Sequence, residues 1–415
     1  LSEQSFASRY ALAFIFTTML VDTIGLGIII PVAPKLIAEL THESLSGAAR
    51  WGGLLFFLFA LMQFFFSPVL GNLSDRFGRR PVLILSLLAL GIDYALSGFA
   101  PNITWLIVAR ILSGMAAGSY AAINAYIADV SPPEKRAANF GLTGAAFGIG
   151  FVLGPALGGV LGDHFGTRAP FFLAAAISVL NAGFGWLVLK ESLPPERRRT
   201  FELWRANPIG SLLAIRRYPM IFGLIGVFVL GRLAHDANPA TWTFYTMEKF
   251  HWGPGDVAMS LVAVGILTTF SFGVLPRLIV PRIGETRAVY VGLFFAALGY
   301  AGYAFSSQPW MLYASMLVWA LGGVGNPALN SIVSRQVAAN EQGELQGALA
   351  SLGSATSIFA PLVMTGLFSF FTGPRAPVYF PGASFLAAGL FELGALLIFI
   401  VMHNRLRVAP VEATQ

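Results

Sequence analysis

Along this chain apolar residues gather in long unbroken runs rather than alternating with polar ones. Each run is about 20 residues long, the length a helix rising 1.5 Å per residue needs to cross the ~30 Å core of a bilayer. Barrel strands would instead show a period of two, which these runs lack. They predict twelve helical spans, over residues 9–34, 51–73, 81–99, 103–129, 137–161, 169–190, 218–247, 256–279, 287–305, 309–333, 342–371 and 380–403. Glycine and proline inside the runs do not argue against helix, because neighbouring helices re-satisfy backbone groups that a kink frees in lipid. The expected fold class is all-α and integral to the membrane.

Composition agrees, with 56% hydrophobic and 11% charged residues, against roughly 25% charged in soluble domains. The net charge of +6 needs no nucleic-acid partner once the basic residues are placed. Nineteen lysines and arginines fall in the termini and even-numbered connections, and five (Lys35, Arg50, Arg168, Lys249 and Arg375) in the odd ones. The excess puts both termini in the cytoplasm. The first run is too long, and too rich in glycine, proline and acid, for a cleavable signal, so it is expected to be retained with no soluble domain before it. Zero cysteines exclude disulfides, thiolate metal sites and a cysteine nucleophile.

Sliding the chain on itself by 206 residues superposes Gly78 on Gly284, Asn124 on Asn330, Gly141 on Gly347 and Pro155 on Pro361. Four coincidences at one offset imply a duplicated six-span unit. The expected organisation is an amino-terminal bundle (1–190), a cytoplasmic linker (191–217), a carboxy-terminal bundle (218–403) and a cytoplasmic tail (404–415). Paired halves with a midplane site that opens alternately to each side are a transporter plan. The linker carries six arginines around the amphipathic stretch 201–215, a helix for the anionic leaflet or a docking surface.

Several segments carry chemistry. The loop after span two reads Gly71-Asn-Leu-Ser-Asp75-Arg76-Phe-Gly78-Arg79-Arg80, where one acid among three arginines either pairs and parts with conformation or simply fixes topology. Span five places Gly141, Gly150, Gly154, Pro155, Gly158 and Gly159 as a close-packing seam. Ionisable residues at span depth are costly and usually face a partner or a cavity. They are Asp22, Asp93, Arg110, Arg232, His235 and Asp236, with Glu392 in span twelve extending the set. Asp22 reads either as a structural pair or as a handler of protons or cations. Arg232 and Asp236 stand four apart and share a helix face, so they neutralise each other or work with the titratable His235. No second His or carboxylate lies at metal-ligand spacing, so no metal is expected. Candidate cargo contacts are Phe59, Gln63, Asn124, Arg232, Asn238, Trp242, Tyr245, Asn330 and Gln346.

The loop at 71–80 resembles the signature G-x-x-x-D-R-x-G-R-R of the major facilitator superfamily, and span five is similar to that superfamily's antiporter motif. Residues 22–34, 71–81, 92–94, 125–129, 250–252, 322–329, 334–337 and 343–350 narrow the resemblance to the tetracycline-exporter-like (Tet) branch of the drug/proton antiporters. The resemblance implies the major facilitator fold, two pseudo-symmetric bundles of six helices. It implies a cytoplasmic gate at Gly71, Asp75, Arg76, Gly78, Arg79, Arg80 and Asp129, an export-type seal in span five, and proton coupling through Arg110 with Asp22 as its partner. The implied protein is no enzyme but a proton-coupled antiporter for small amphipathic compounds, a multidrug or antibiotic-resistance type of exporter. It would work as a monomer in the bacterial cytoplasmic (inner) membrane, with protons as coupling ion and no cofactor.

Two departures stand out. Tetracycline exporters carry an acid in span nine just before a Gly-Tyr pair, and here Gly299-Tyr300 follows Phe294-Phe295-Ala296-Ala297-Leu298. Span seven has His235-Asp236-Ala237-Asn238-Pro239 in place of a glutamine-containing segment. Either coupling has moved to span seven or the cargo is not a magnesium-chelated tetracycline. Metabolite uptake on the same fold, and a membrane enzyme or receptor that transports nothing, are the competing readings.

Overall fold

The computed structural model describes residues 3–117, 119–131, 136–200, 222–337 and 342–408, and among them it is helical with no strand. The amino-terminal helices are α1 (Glu3–Ile29), α2 (Ala33–Thr41), α3 (Leu45–Phe77), α4 (Arg79–Phe99), α5 (Ile103–Ala116), α6 (Ser119–Val130), α7 (Arg136–Phe165) and α8 (Ala169–Val188). After the linker come α9 (Phe222–His235), α10 (Ala237–Phe250), α11 (Pro254–Gly273), α12 (Leu275–Ile283), α13 (Glu285–Phe305), α14 (Pro309–Ala320), α15 (Gly325–Ser334), α16 (Gln342–Thr372) and α17 (Ala383–Val408). The proposed linker helix over 201–215 and the tail beyond 408 lie outside the described residues.

Nine of the twelve expected spans are helices long and apolar enough to cross a membrane, among the described residues. The first span is a pair, α1 and α2, bent by 49°. Pro31 and Pro34 cause the bend, since neither supplies the amide a straight helix needs there. The fourth and seventh spans are each two shorter helices end to end, α5 with α6 and α9 with α10. The seventh breaks at Asp236 because the Pro239 ring, in an unbroken helix, would meet the carbonyl four residues earlier. Large apolar side chains such as Leu85, Leu180, Leu187 and Leu397 are at least 64% exposed, a surface that only lipid covers well. The chain is therefore a multi-pass membrane protein.

The repeat read from the sequence recurs in the helix starts. α4, α5, α6 and α7 begin 206 residues before α13, α14, α15 and α16 respectively, and α3 ends 206 residues before α12. At the equivalent turns Gly78 and Gly284 hold φ of +105° and +80° with the same ψ of 159°. Glycine is required there, because the left-handed half of the map repels a Cβ.

Packing divides the chain into two units, one of Leu1–Pro208 with Thr246–Ile266, the other of Ile209–Tyr245 with Leu267–Gln415. In the first, α1 lies against α7 and α8, α3 against α5, and α4 against α8. Its core includes Phe14, Met19, Leu83, Ile123, Tyr126 and Ile127. In the second, α13 packs on α17 and α14, and α17 also on α9, around Leu224, Val289, Leu329, Leu345 and Phe399.

Candidate functional site

Small residues bring α7 against α1. A Cβ on Gly154 would lie 2.8 Å from the Ile24 carbonyl oxygen and 2.9 Å from Gly27 Cα, and one on Gly150 would lie 2.6 Å from Thr23 Cβ. Gly158 faces the Ile28 backbone, and Pro155 packs over Gly27. The next turn serves a different neighbour, with Gly159 against Ala258 and Pro254 of α11. There the Gly255 amide donates to Asp163 Oδ2 at 3.0 Å, so a carboxylate from the end of α7 satisfies a free amide in the first turn of α11. Gly141 is on α7 where only the backbone course is described. The six-residue motif thus continues into Asp163, which spacing alone did not indicate.

On the α1 side of this seam stands Asp22. Its Oδ1 is buried and accepts no hydrogen bond. The expected partner Arg110 is turned elsewhere, to Asp93 of α4, with Nη2 2.6 Å from Oδ2. Asp93 is fully buried and its Oδ1 is unpartnered, while Arg110 keeps 20% of its side chain exposed. The Asp22–Arg110 pairing is thereby corrected: α5 packs on α4, and Asp93 of α4 takes the guanidinium.

The loop between α3 and α4 is organised around Arg79. Buried to 8% exposure, it meets Asp75 at 2.6 Å, Asp129 at 3.4 Å and the Ser74 hydroxyl at 2.6 Å. Glu191, just past α8, accepts from the Arg79 and Arg80 amides at 2.8 and 3.2 Å and so caps the start of α4. Its carboxylate fills the space a Cβ on Gly78 would take. Arg80 donates to the Trp186 carbonyl at 2.5 Å, and Ser192 donates to Asp129 at 3.1 Å. Arg76 stacks on Phe77, 5.1 Å from the ring centre. Asp75, Arg79 and Asp129 therefore meet, while Gly71 contributes its carbonyl to Ser74. Glu191 had no sequence signal, lying 112 residues from Arg79.

The second unit has its own polar cluster at the α9–α10 break. Ser357 of α16 donates to Asp236 Oδ2 at 2.7 Å and accepts from Arg232 at 3.1 and 3.2 Å, while Arg232 Nε lies 3.7 Å from Asp236 Oδ1. Asp236 is 5% exposed. His235 Nδ1 is 3.8 Å from the same carboxylate, with its side chain 46% exposed. The bridging serine is 121 residues from Asp236 and no spacing pointed to it. Asn238 Oδ1 is buried without a partner.

The other cargo candidates are dispersed. Trp242 and Tyr245 are buried in an aromatic cluster with Tyr303 and Phe385, and the Tyr245 hydroxyl donates to the Tyr303 carbonyl, so packing accounts for both. Phe59 is half-buried where its backbone meets Gly114, and Gln63 is half-buried one turn on. Asn124 is exposed. Asn330 donates to Asn326 at 3.4 Å and Gln346 to Ser334 at 3.0 Å. Among the described residues no three His, Asp or Glu side chains converge as metal ligands.

The sequence profile of the Major Facilitator Superfamily matches residues 15–361. The tetracycline resistance protein, class C, of Escherichia coli is 40% identical over 362 residues, 87% of this chain and 90% of that protein. The class G protein of Vibrio anguillarum is 37% identical over 359 residues, 84% and 88% of the two chains. The solved structure of a bacterial homologue of the human lysosomal transporter Spinster, inward-facing and unoccupied, superposes with a TM-score of 0.79. It covers 96% of this chain and 97% of that one at 17% identity, a likeness of fold.

Proposed function

This chain belongs to the Major Facilitator Superfamily, which makes it a membrane transporter, and on that premise we propose that it is a proton-coupled antiporter exporting small amphipathic compounds by alternating access. It acts as a monomer in the bacterial cytoplasmic membrane with both termini inside, and its cargo is drug-like molecules or metabolites. The relatives named for tetracycline resistance support export of a drug.

The observation that carries the reading is the state of Asp22. Asp93 is held by Arg110, and Asp236 by Arg232 and Ser357, whereas Asp22, with a buried oxygen that nothing donates to, has no ion pair among the described residues. Charge on such an atom is expensive unless water or a donor reaches it, so its protonation is tied to any movement that changes that access. Asp22 is also on the helix that the span-five seam grips, a few residues from the Gly27–Pro155 contact and the bend at Pro31. A shift of α1 against α7 would alter its surroundings directly. Protonation favours one gate state and cargo binding the other, and the membrane potential adds about 2.3 kcal/mol per charge per 100 mV. On the cytoplasmic face, the Asp75–Arg79–Asp129 network with Glu191 closes the gate.

Reconstitution in proteoliposomes, with tetracycline as the first probe, tests the proposal. Asp22→Asn is expected to abolish transport driven by a pH gradient while the variant purifies and melts like the parent. Normal gradient-driven transport by Asp22→Asn overturns the assignment. Inward counterflow unaffected by collapse of the gradient would indicate facilitated uptake instead.

A further inference from the structure

Glu392 plays no part in the networks above. It lies on α17 and is 6% exposed, and among the described residues it makes no hydrogen bond and no ion pair. One turn before it Gly389 brings α17 against α13, where a Cβ would lie 3.3 Å from the Ala297 carbonyl oxygen and 3.6 Å from Tyr300 Cβ. Residues three apart on a helix share a face, so Glu392 is directed to the same interface.

The groups around it are few. From α13 comes Tyr300, 1% exposed, whose ring centre lies 6.5 Å from that of Trp319 and whose phenol lies in the field of both Glu392 and Asp236. α9, which also packs on α17, carries Arg232 and His235 in its last turn. Arg232 is already committed to Asp236 and Ser357. From Leu345 to Thr372, α16 carries no charged side chain. Glu392 is thus a buried carboxyl with no cation of its own, joined through one phenol to a second carboxyl that has one.

A structural carboxylate at this depth would have a cation or amide donors beside it. We propose that Glu392 is a second proton-binding site of this transporter, linked through Tyr300 to the Asp236–Arg232–Ser357 cluster. Uptake forms one O–H bond on the carboxylate with a proton taken from water. Release breaks that bond and returns the proton to water, with no redox change. When Glu392 is ionised, its charge and that of Asp236 act on the same phenol and compete for the same neighbourhood. Loading and unloading of the site therefore bias the break between α9 and α10. The inference rests on the reading of the chain as a proton-coupled antiporter.

The test reads protonation itself, so it is independent of cargo and distinct from the Asp22 transport assay. Full-length protein in phosphatidylethanolamine–phosphatidylglycerol vesicles is followed by infrared difference spectroscopy across pH, in water and in deuterium oxide. An Asp22→Asn background removes the other buried acid that has no ion pair among the described residues. The expected result is a titrating protonated-carboxyl band, equivalent to one group per protein, that Glu392→Gln abolishes, Glu392→Asp retains at a shifted frequency, and Tyr300→Phe perturbs. Should Glu392→Gln fold poorly, the Glu392→Asp and Tyr300→Phe spectra decide alone. A carboxyl band unchanged by all three substitutions overturns the proposal, and so does a Glu392 ionised at every pH, which would mark a site for cationic cargo instead.

Discussion

Asp93 and Arg110 illustrate what a single side chain commits to inside a membrane protein. With Asp93 wholly out of water, the ion pair matters less for what it adds than for what its loss would leave behind. Asp93→Asn is expected to lower stability by about 3–5 kcal/mol, because it strands the Arg110 guanidinium. Adding Arg110→Gln should restore most of that loss, and thermal unfolding of the purified single and double variants would measure both. The ionisable residues themselves were legible from sequence, since depth within an apolar run is read directly. Their partners were not. Asp93 lies on a different helix from Arg110, and Ser357 and Glu191 each reach across more than 100 residues of chain to their partners. Only folding brings such pairs together, and a hydroxyl or a lone carboxylate leaves no period in the sequence.

At the level of the helix, the seam between α1 and α7 follows from residues of minimal volume at every contact. Gly154→Leu must push the Ile24 carbonyl and Gly27 aside, and overpacking of this kind costs about 1–3 kcal/mol. It is expected to lower the melting temperature and to abolish transport. Gly144→Ala is the control on the same helix, since a Cβ there meets nothing within 4 Å and the melt should stay unchanged. The seam was legible because six small residues at fixed spacing are visible in one dimension. Its division of labour was hidden: Gly150 through Gly158 grip α1, whereas Gly159 turns to α11. Breaks inside spans were also only half visible. Pro31, Pro34 and Pro239 mark where a helix loses an amide, but whether the chain bends by 49°, as after α1, or restarts, as at Asp236, depends on what packs outside it.

The whole chain was best foretold by its repeat, because duplication leaves a constant offset that survives wherever turns and helix starts are constrained. The expected sidedness follows from the basic residues and can be checked with a convenience this sequence provides, the absence of cysteine. A cysteine introduced at Ser192, beside the Arg79 network, should react with a membrane-impermeant maleimide only in inside-out vesicles. One at Thr167, between α7 and α8, should react only in right-side-out cells, and labelling from the opposite sides would reverse the topology.

The grouping of residues 246–266 with the amino-terminal unit has a further implication for the integrity of the transporter. The polypeptide passes from one unit to the other not once, at the linker, but three times. Severing the backbone within residues 201–217 therefore leaves two intact peptide tethers, near 245 and 266, between the two units. A protease site engineered there should yield fragments that separate on a denaturing gel yet co-elute in detergent. Lengthening or replacing the linker is then expected to leave both peptide tethers intact.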